Sequence, residues 1–119
     1  MLETTTIAIV LFAIAAAGGL FMAVRRFQNK LAPWPLSILH ALLGVAGLVL
    51  VLIAVLNGAA GYVLTALVVL AIAAIGGFFL ASFHARRALA PKAVVVIHAL
   101  VAVAGFLLLI GGVLGTAAP

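Results

Sequence analysis

The chain has 119 residues, of which 70% are apolar, with one acidic residue, six Lys plus Arg and no cysteine. Soluble domains average about 45–50% apolar and about 25% charged residues, and disordered chains are more polar still, so both classes are excluded and one small integral membrane domain remains. Without Cys, disulfide frameworks, thiolate metal sites, iron–sulfur clusters and Cys nucleophiles drop out, leaving His, Lys, Arg and hydroxyl groups to carry chemistry.

A helix needs roughly 20 apolar residues, at about 1.5 Å each, to cross about 30 Å of hydrocarbon. Four runs of that length follow one another. The first covers residues 6–24 and ends at Arg25. The second opens after Pro35, whose missing amide hydrogen suits the first turn of a helix, and closes at Asn57-Gly58. The third covers residues 61–83, and the fourth runs from residue 92 or 93 to 114. Even spacing and richness in Ala, Leu and Val argue against barrel strands, which would alternate over about ten residues.

The cations are clustered. Arg25, Arg26 and Lys30 join the first span to the second, and Arg86, Arg87 and Lys92 join the third to the fourth. All six therefore fall on one face of the bilayer, the cytoplasmic face by the positive-inside rule. Neither segment has the length or the interleaved aromatics of a nucleic-acid surface, so no nucleic-acid partner is expected. Glu3, the turn at residues 57–61 and the tail at 116–119 then face outward, with both termini outside. Met1-Leu2-Glu3 has the opposite charge to a signal-peptide start, so the first span is expected to stay in the mature protein. A bacterial inner membrane fits this pattern.

Residues 1–61 laid over residues 59–119, an offset of 58 without gaps, give 24 identities in 61 pairs. A chain this biased would give only about one in eight by coincidence, so the pattern reads as an internal repeat. The best-matched blocks include Gly18-Gly19 on Gly76-Gly77, Leu31-Ala32-Pro33 on Leu89-Ala90-Pro91, and His40-Ala41-Leu42 on His98-Ala99-Leu100. The expected fold is an all-α, four-transmembrane-helix bundle built from a tandem, parallel repeat of two-helix hairpins. It forms one domain over residues 1–119, with units at about 1–58 and 59–119. An even number of spans per unit gives both halves the same orientation, placing the second and fourth spans side by side or across the bundle axis.

His40 and His98 lie about five residues into those two spans, roughly 6–8 Å inside the boundary. An ionisable group at that depth is costly and turns inward toward a partner or cavity. Histidine is also the only polar side chain retained in both halves, since Ser37 faces Val95 and Asn57 faces Gly115. Gly44 and Gly47 share the helical face of His40, as Ala102 and Gly105 share that of His98, and small residues there leave a groove for a flat macrocycle or for another helix.

A bare ion needs three or four ligands, and the interior offers no carboxylate, Cys or third well-placed His. Haem needs only two axial ligands, so the pair is expected to ligate haem b, with Arg25, Arg26, Lys30, Arg86, Arg87 and Lys92 near enough to meet its propionates. Four spans, the paired His40 and His98 on alternate helices, and small residues after each His make the chain resemble small four-helix b-type membrane cytochromes, of which the cytochrome b561-like proteins are the best-known group. The chain has no His near the outer boundary. The resemblance therefore implies one haem near the cytoplasmic side, serving a quinone or a redox partner protein in one-electron transfer.

Two other functions stay open. The chain could be a non-catalytic structural or assembly subunit of a membrane complex, since its Ala and Gly faces suit lateral contacts, or a homo-oligomer. It could also be a small transporter or channel with His as proton carrier, although no acid lies within the spans. His84, aligned with Arg26, reads as interfacial, as do the belt residues Trp34 and Tyr62. Gly18-Gly19 and Gly76-Gly77 would let the first and third helices approach closely or leave room for a ring. A stand-alone soluble enzyme is not expected, because no phosphate loop, Ser-His-Asp set or carboxylate pair is present.

Overall fold

The computed structural model describes residues 2–115. The chain forms four helices long and apolar enough to cross a membrane: α1 (Leu2–Phe27), α2 (Trp34–Leu56), α3 (Tyr62–Ala85) and α4 (Lys92–Gly115). The tail at 116–119, expected on the outer face, lies outside the described residues.

Each boundary has a local cause. α1 begins four residues earlier than its apolar run because Glu3 complements the positive end of the helix dipole, and Arg25 and Arg26 complement the other end. α2 starts at Trp34 rather than after Pro35. Pro33 is its N-cap and Pro35 sits in the first turn, where no amide hydrogen is required. α1 and α3 stop in the same way: Asn29 and Arg87 take left-handed backbone angles (φ +59° and +56°), while the amides of Lys30 and Ala88 reach back to the carbonyls of Arg25 and Phe83. At the opposite end, Asn57 caps α2, and Gly58 and Gly61 supply the positive φ that the turn into α3 needs.

The helices form a closed ring in chain order, α1 against α2, α2 against α3, α3 against α4 and α4 against α1. α2 and α4 therefore face each other across the diagonal, as do α1 and α3. Packing is closest within the hairpins α1/α2 and α3/α4, and the bundle is 48 Å long.

One helical face of each element is buried: Thr5, Ala8, Phe12 and Ala15 on α1; Gly47, Val51 and Ala54 on α2; Val63, Ala66, Leu70 and Ala73 on α3; Gly105, Leu109 and Gly112 on α4. Each α3 position lies 58 residues after its α1 counterpart, and each α4 position 58 after its α2 counterpart. Large apolar side chains such as Leu20, Leu42, Ile75 and Leu107 point outward, which suits lipid as solvent. Inside, Ala and Gly bring the helices close, and Phe12 and Leu70 fill the space that Gly47 and Gly105 leave, with ring and side-chain carbons 2.7 Å from where a Cβ would stand.

This packing yields a sharp contrast between two glycines. A Cβ at Gly112 would lie 2.8 Å from Val63 Cγ2 and 2.9 Å from the Val63 backbone nitrogen, so Gly112→Ala is expected to cost about 1–3 kcal/mol. Gly44 has nothing within 4 Å, and Gly44→Ala should leave stability unchanged or raise it by up to about 1 kcal/mol through helix propensity. Thermal unfolding of the two variants in the same detergent measures the difference.

Candidate functional site

The two ends of the bundle differ. Toward the turn at residues 57–61, the core is solid, built on Ala8, Phe12, Val51, Val63, Ala66, Leu70 and Leu109. Toward the basic loops, the same four helices enclose a cavity of about 370 Å³. Its floor is Phe12, Leu48, Leu70 and Phe106, its walls are mainly Ala and Gly, and its rim includes Arg26, Lys30 and His84. Outward-exposed Leu20, Val45, Phe78 and Val103 also line it, so it reaches the lipid-facing surface between helices.

His40 and His98 project into this cavity from diagonally opposed helices. Their ring centres are 6.3 Å apart, with the planes at 76°. His40 Nδ1 lies 2.7 Å from the carbonyl oxygen of Ala15, and His98 Nδ1 lies 2.8 Å from that of Ala73. A carbonyl oxygen only accepts, so each Nδ1 carries the hydrogen and donates it. In the neutral form of such a ring, Nε2 is the unprotonated nitrogen. Among the described residues no enclosed side-chain nitrogen lacks a partner, and no hydrogen bond occupies either Nε2, so both Nε2 atoms are accessible, on rings that line the cavity. The rings rest on glycines of the neighbouring helix: a Cβ at Gly19 would stand 2.9 Å from His40 Cε1, and one at Gly77 would stand 3.0 Å from His98 Cε1. α1 and α3 occupy opposite corners, so these glycines admit an imidazole rather than bringing the two helices together.

This arrangement suits ligation of one ion between the rings. With their ring centres 6.3 Å apart across the cavity, the two imidazoles are near enough for one group held between them to meet both. Donation of the second ring nitrogen to a carbonyl is the usual support for a metal-ligating histidine. No group of three or more His, Cys, Asp or Glu residues able to hold a metal occurs among the described residues, so a bare ion would be under-coordinated, whereas a macrocycle brings its own four nitrogens.

The other residues singled out in the sequence divide sharply. Gly44 and Ala102 line the cavity beside the rings. Gly47 and Gly105 lie below it, covered by Phe12 and Leu70, and leave no groove of their own because their missing Cβ positions are already filled. Of the four arginines, only Arg26 lines the cavity. Its Nε donates to the Ala90 carbonyl across the hairpin seam, and its Nη1 donates to Asn29 Oδ1 at 3.1 Å. Arg25 turns back to the Leu31 carbonyl at 2.7 Å, Arg86 lies over the Phe83 ring, and Arg87 lines a separate surface pocket. Lys30 joins Arg26 at the rim. His84 donates from Nε2 to the Ala32 carbonyl at 2.8 Å and meets Trp34 edge-on. Two groups were invisible as candidates: the carbonyls of Ala15 and Ala73, which the side-chain sequence does not encode, although both alanines are identical between the halves.

No family model matches the chain, and no curated protein or solved structure shows significant similarity to it. Function must be argued from the site itself.

Nitrogen NMR of histidine-labelled protein should show both buried rings as the Nδ1–H tautomer. Gly19→Ala should displace His40 and remove its hydrogen bond to Ala15 while leaving the His98 signals in place; equal perturbation of both rings would contradict the separate glycine seats.

Proposed function

We propose that this is a haem-b-binding integral membrane protein for one-electron transfer, acting alone or as a subunit of a respiratory or redox complex. The observation that carries the reading is the pair of imidazoles 6.3 Å apart, each with Nδ1–H fixed on a carbonyl and its ring lining a largely apolar cavity. His40 and His98 would hold the haem iron. The bound haem would supply a reversible one-electron iron couple. The protein's part is to hold ligand tautomer and orientation through Ala15 and Ala73, to shield the site from water with Ala, Leu and Phe side chains, and to receive acidic groups at Arg26 and Lys30. A quinone or a redox protein is the electron partner, and resemblance to the b-type cytochromes is part of the same reading.

The offset of 58 that relates the buried faces also relates the lining of the cavity: Ala15 and Ala73, Gly19 and Gly77, Ala41 and Ala99, Val45 and Val103 are identical pairs. Duplication of a two-helix hairpin accounts for these pairs and for the shared depth of the two histidines. We place the basic end in the cytoplasm and the protein in a bacterial inner membrane, with Glu3 and the turn at residues 57–61 outside. Alkaline phosphatase fused within that turn should be active, and fused after Gln28 inactive; the reverse pattern would overturn the orientation.

A structural subunit is the second reading, favoured by one observation: the Nδ1 bonds already tie α2 to α1 and α4 to α3 without any cofactor. Absorption separates the two. Protein purified from haem-replete cells should show a Soret band, and either His40→Ala or His98→Ala should abolish or shift it. Each substitution should also cost about 0.5–1.5 kcal/mol through loss of the imidazole–carbonyl hydrogen bond. Circular dichroism establishes that the variants are folded, and added imidazole should restore the band. Colourless protein would favour the structural reading, and a full spectrum in both single variants would overturn the assignment of His40 and His98 as the ligands.

A further inference from the structure

We propose that a second site, outside His84, binds the phosphodiester headgroup of an anionic phospholipid. A pocket of about 430 Å³ opens at the basic end, lined by Leu31, Ala32, Trp34, His84, Ala85 and Arg87. Leu31, Ala32 and His84 are shared with the internal cavity, so those residues form the wall between the two.

Three observations give this pocket its chemistry. The first is an uncommitted cation. Arg25 and Arg26 are held by carbonyls, Arg86 by the Ser82 carbonyl and the Phe83 ring, and Lys92 lies over Phe27; among the described residues no hydrogen bond or ring contact engages the Arg87 guanidinium or the Lys30 ammonium, and of these two only Arg87 lines this pocket. The second is a hydrogen-bond donor in the lining: Trp34 packs edge-on to His84, 4.8 Å between ring centres, and its indole N–H has no acceptor among the described residues. The third is the lack of internal counter-charge, because the one acidic residue, Glu3, lies at the far end of α1.

The place related by 58 residues differs on the first two counts. Asn29 stands where Arg87 does, and Lys92 stands where Trp34 does, with its ammonium group 5.5 Å from the centre of the Phe27 ring. Arg87 also pays for its position, since it holds a left-handed φ of +56° where Asn29 has the residue type that tolerates it. A guanidinium and an indole N–H at the edge of the apolar spans, beside Leu31 and Ala32, match a phosphodiester carried on acyl chains: charge and donors for the phosphate, apolar wall for the glycerol and first methylenes.

Trp34 is the only tryptophan, so the fluorescence comes from a residue that lines this pocket. Detergent-purified full-length protein is titrated with short-chain phosphatidylglycerol, with phosphatidylcholine of the same chain length, and with inorganic phosphate. Phosphatidylglycerol should shift the emission saturably, at about tenfold lower concentration than phosphatidylcholine. Arg87→Asn, which keeps the helix terminus, should remove that preference. Native mass spectrometry of Trp34→Phe should show fewer retained phosphatidylglycerol molecules than the unaltered chain. Equal responses to the two lipids, or an unchanged preference in Arg87→Asn, would overturn the proposal. An equal response to inorganic phosphate would overturn the lipid assignment in favour of a soluble anion.

Discussion

Two hydrogen bonds from imidazole to backbone organise the hollow half of this bundle. A helix carbonyl within hydrocarbon already accepts the bond of its own ladder, and Ala15 and Ala73 accept a second one from His40 and His98. That fixes the hydrogen on Nδ1, the ring angle, and the spacing of each hairpin at once. Only glycine at positions 19 and 77 lets the ring come close enough, because a methyl there would meet the imidazole carbon at 2.9–3.0 Å. A polar group that is expensive to bury is thereby satisfied on one nitrogen and left available on the other.

The contrast between the ends of the bundle follows from side-chain volume. Between Phe12 and the turn at residues 57–61, Val and Leu fill the space opened by Ala and Gly, and the helices pack without a void. Toward the basic loops the inward positions are mostly Ala and Gly, and their volume does not fill the distance set by two imidazoles facing across the diagonal. The void that remains is largely apolar on its walls, with Arg26 and Lys30 at its rim.

Charge has a comparable division of labour. Six cations and one carboxylate make orientation in the membrane simple but leave the cations without internal partners. Most find backbone carbonyls or aromatic faces. Arg26 and His84 do this symmetrically, each reaching a carbonyl in the opposite hairpin's loop, Ala90 and Ala32 in turn, so the seams between hairpins are latched at their basic ends. The latches matter because hairpin-to-hairpin contact is the looser of the two kinds of packing in the ring.

The sequence by itself determined the four spans, the gathering of all six cations at one end, and the equal depth of His40 and His98. These depend on hydrocarbon thickness, hydropathy and residue count, which are properties of the chain read in one dimension. Helix ends were less legible: α1 reaches back to Leu2 because a helix can continue beyond the apolar run that marks it. Within the candidate site, Gly44 and Gly47 looked equivalent on a helical wheel, yet Gly44 faces the void and Gly47 faces Phe12. The four arginines looked equally placed, yet Arg26 alone meets the cavity. Tertiary structure decided these matters, together with the diagonal pairing of α2 and α4 and the choice of Ala15 and Ala73 as acceptors. Each turns on which neighbour occupies a given volume, or on a backbone carbonyl that every residue carries alike, and neither is written in the order of side chains.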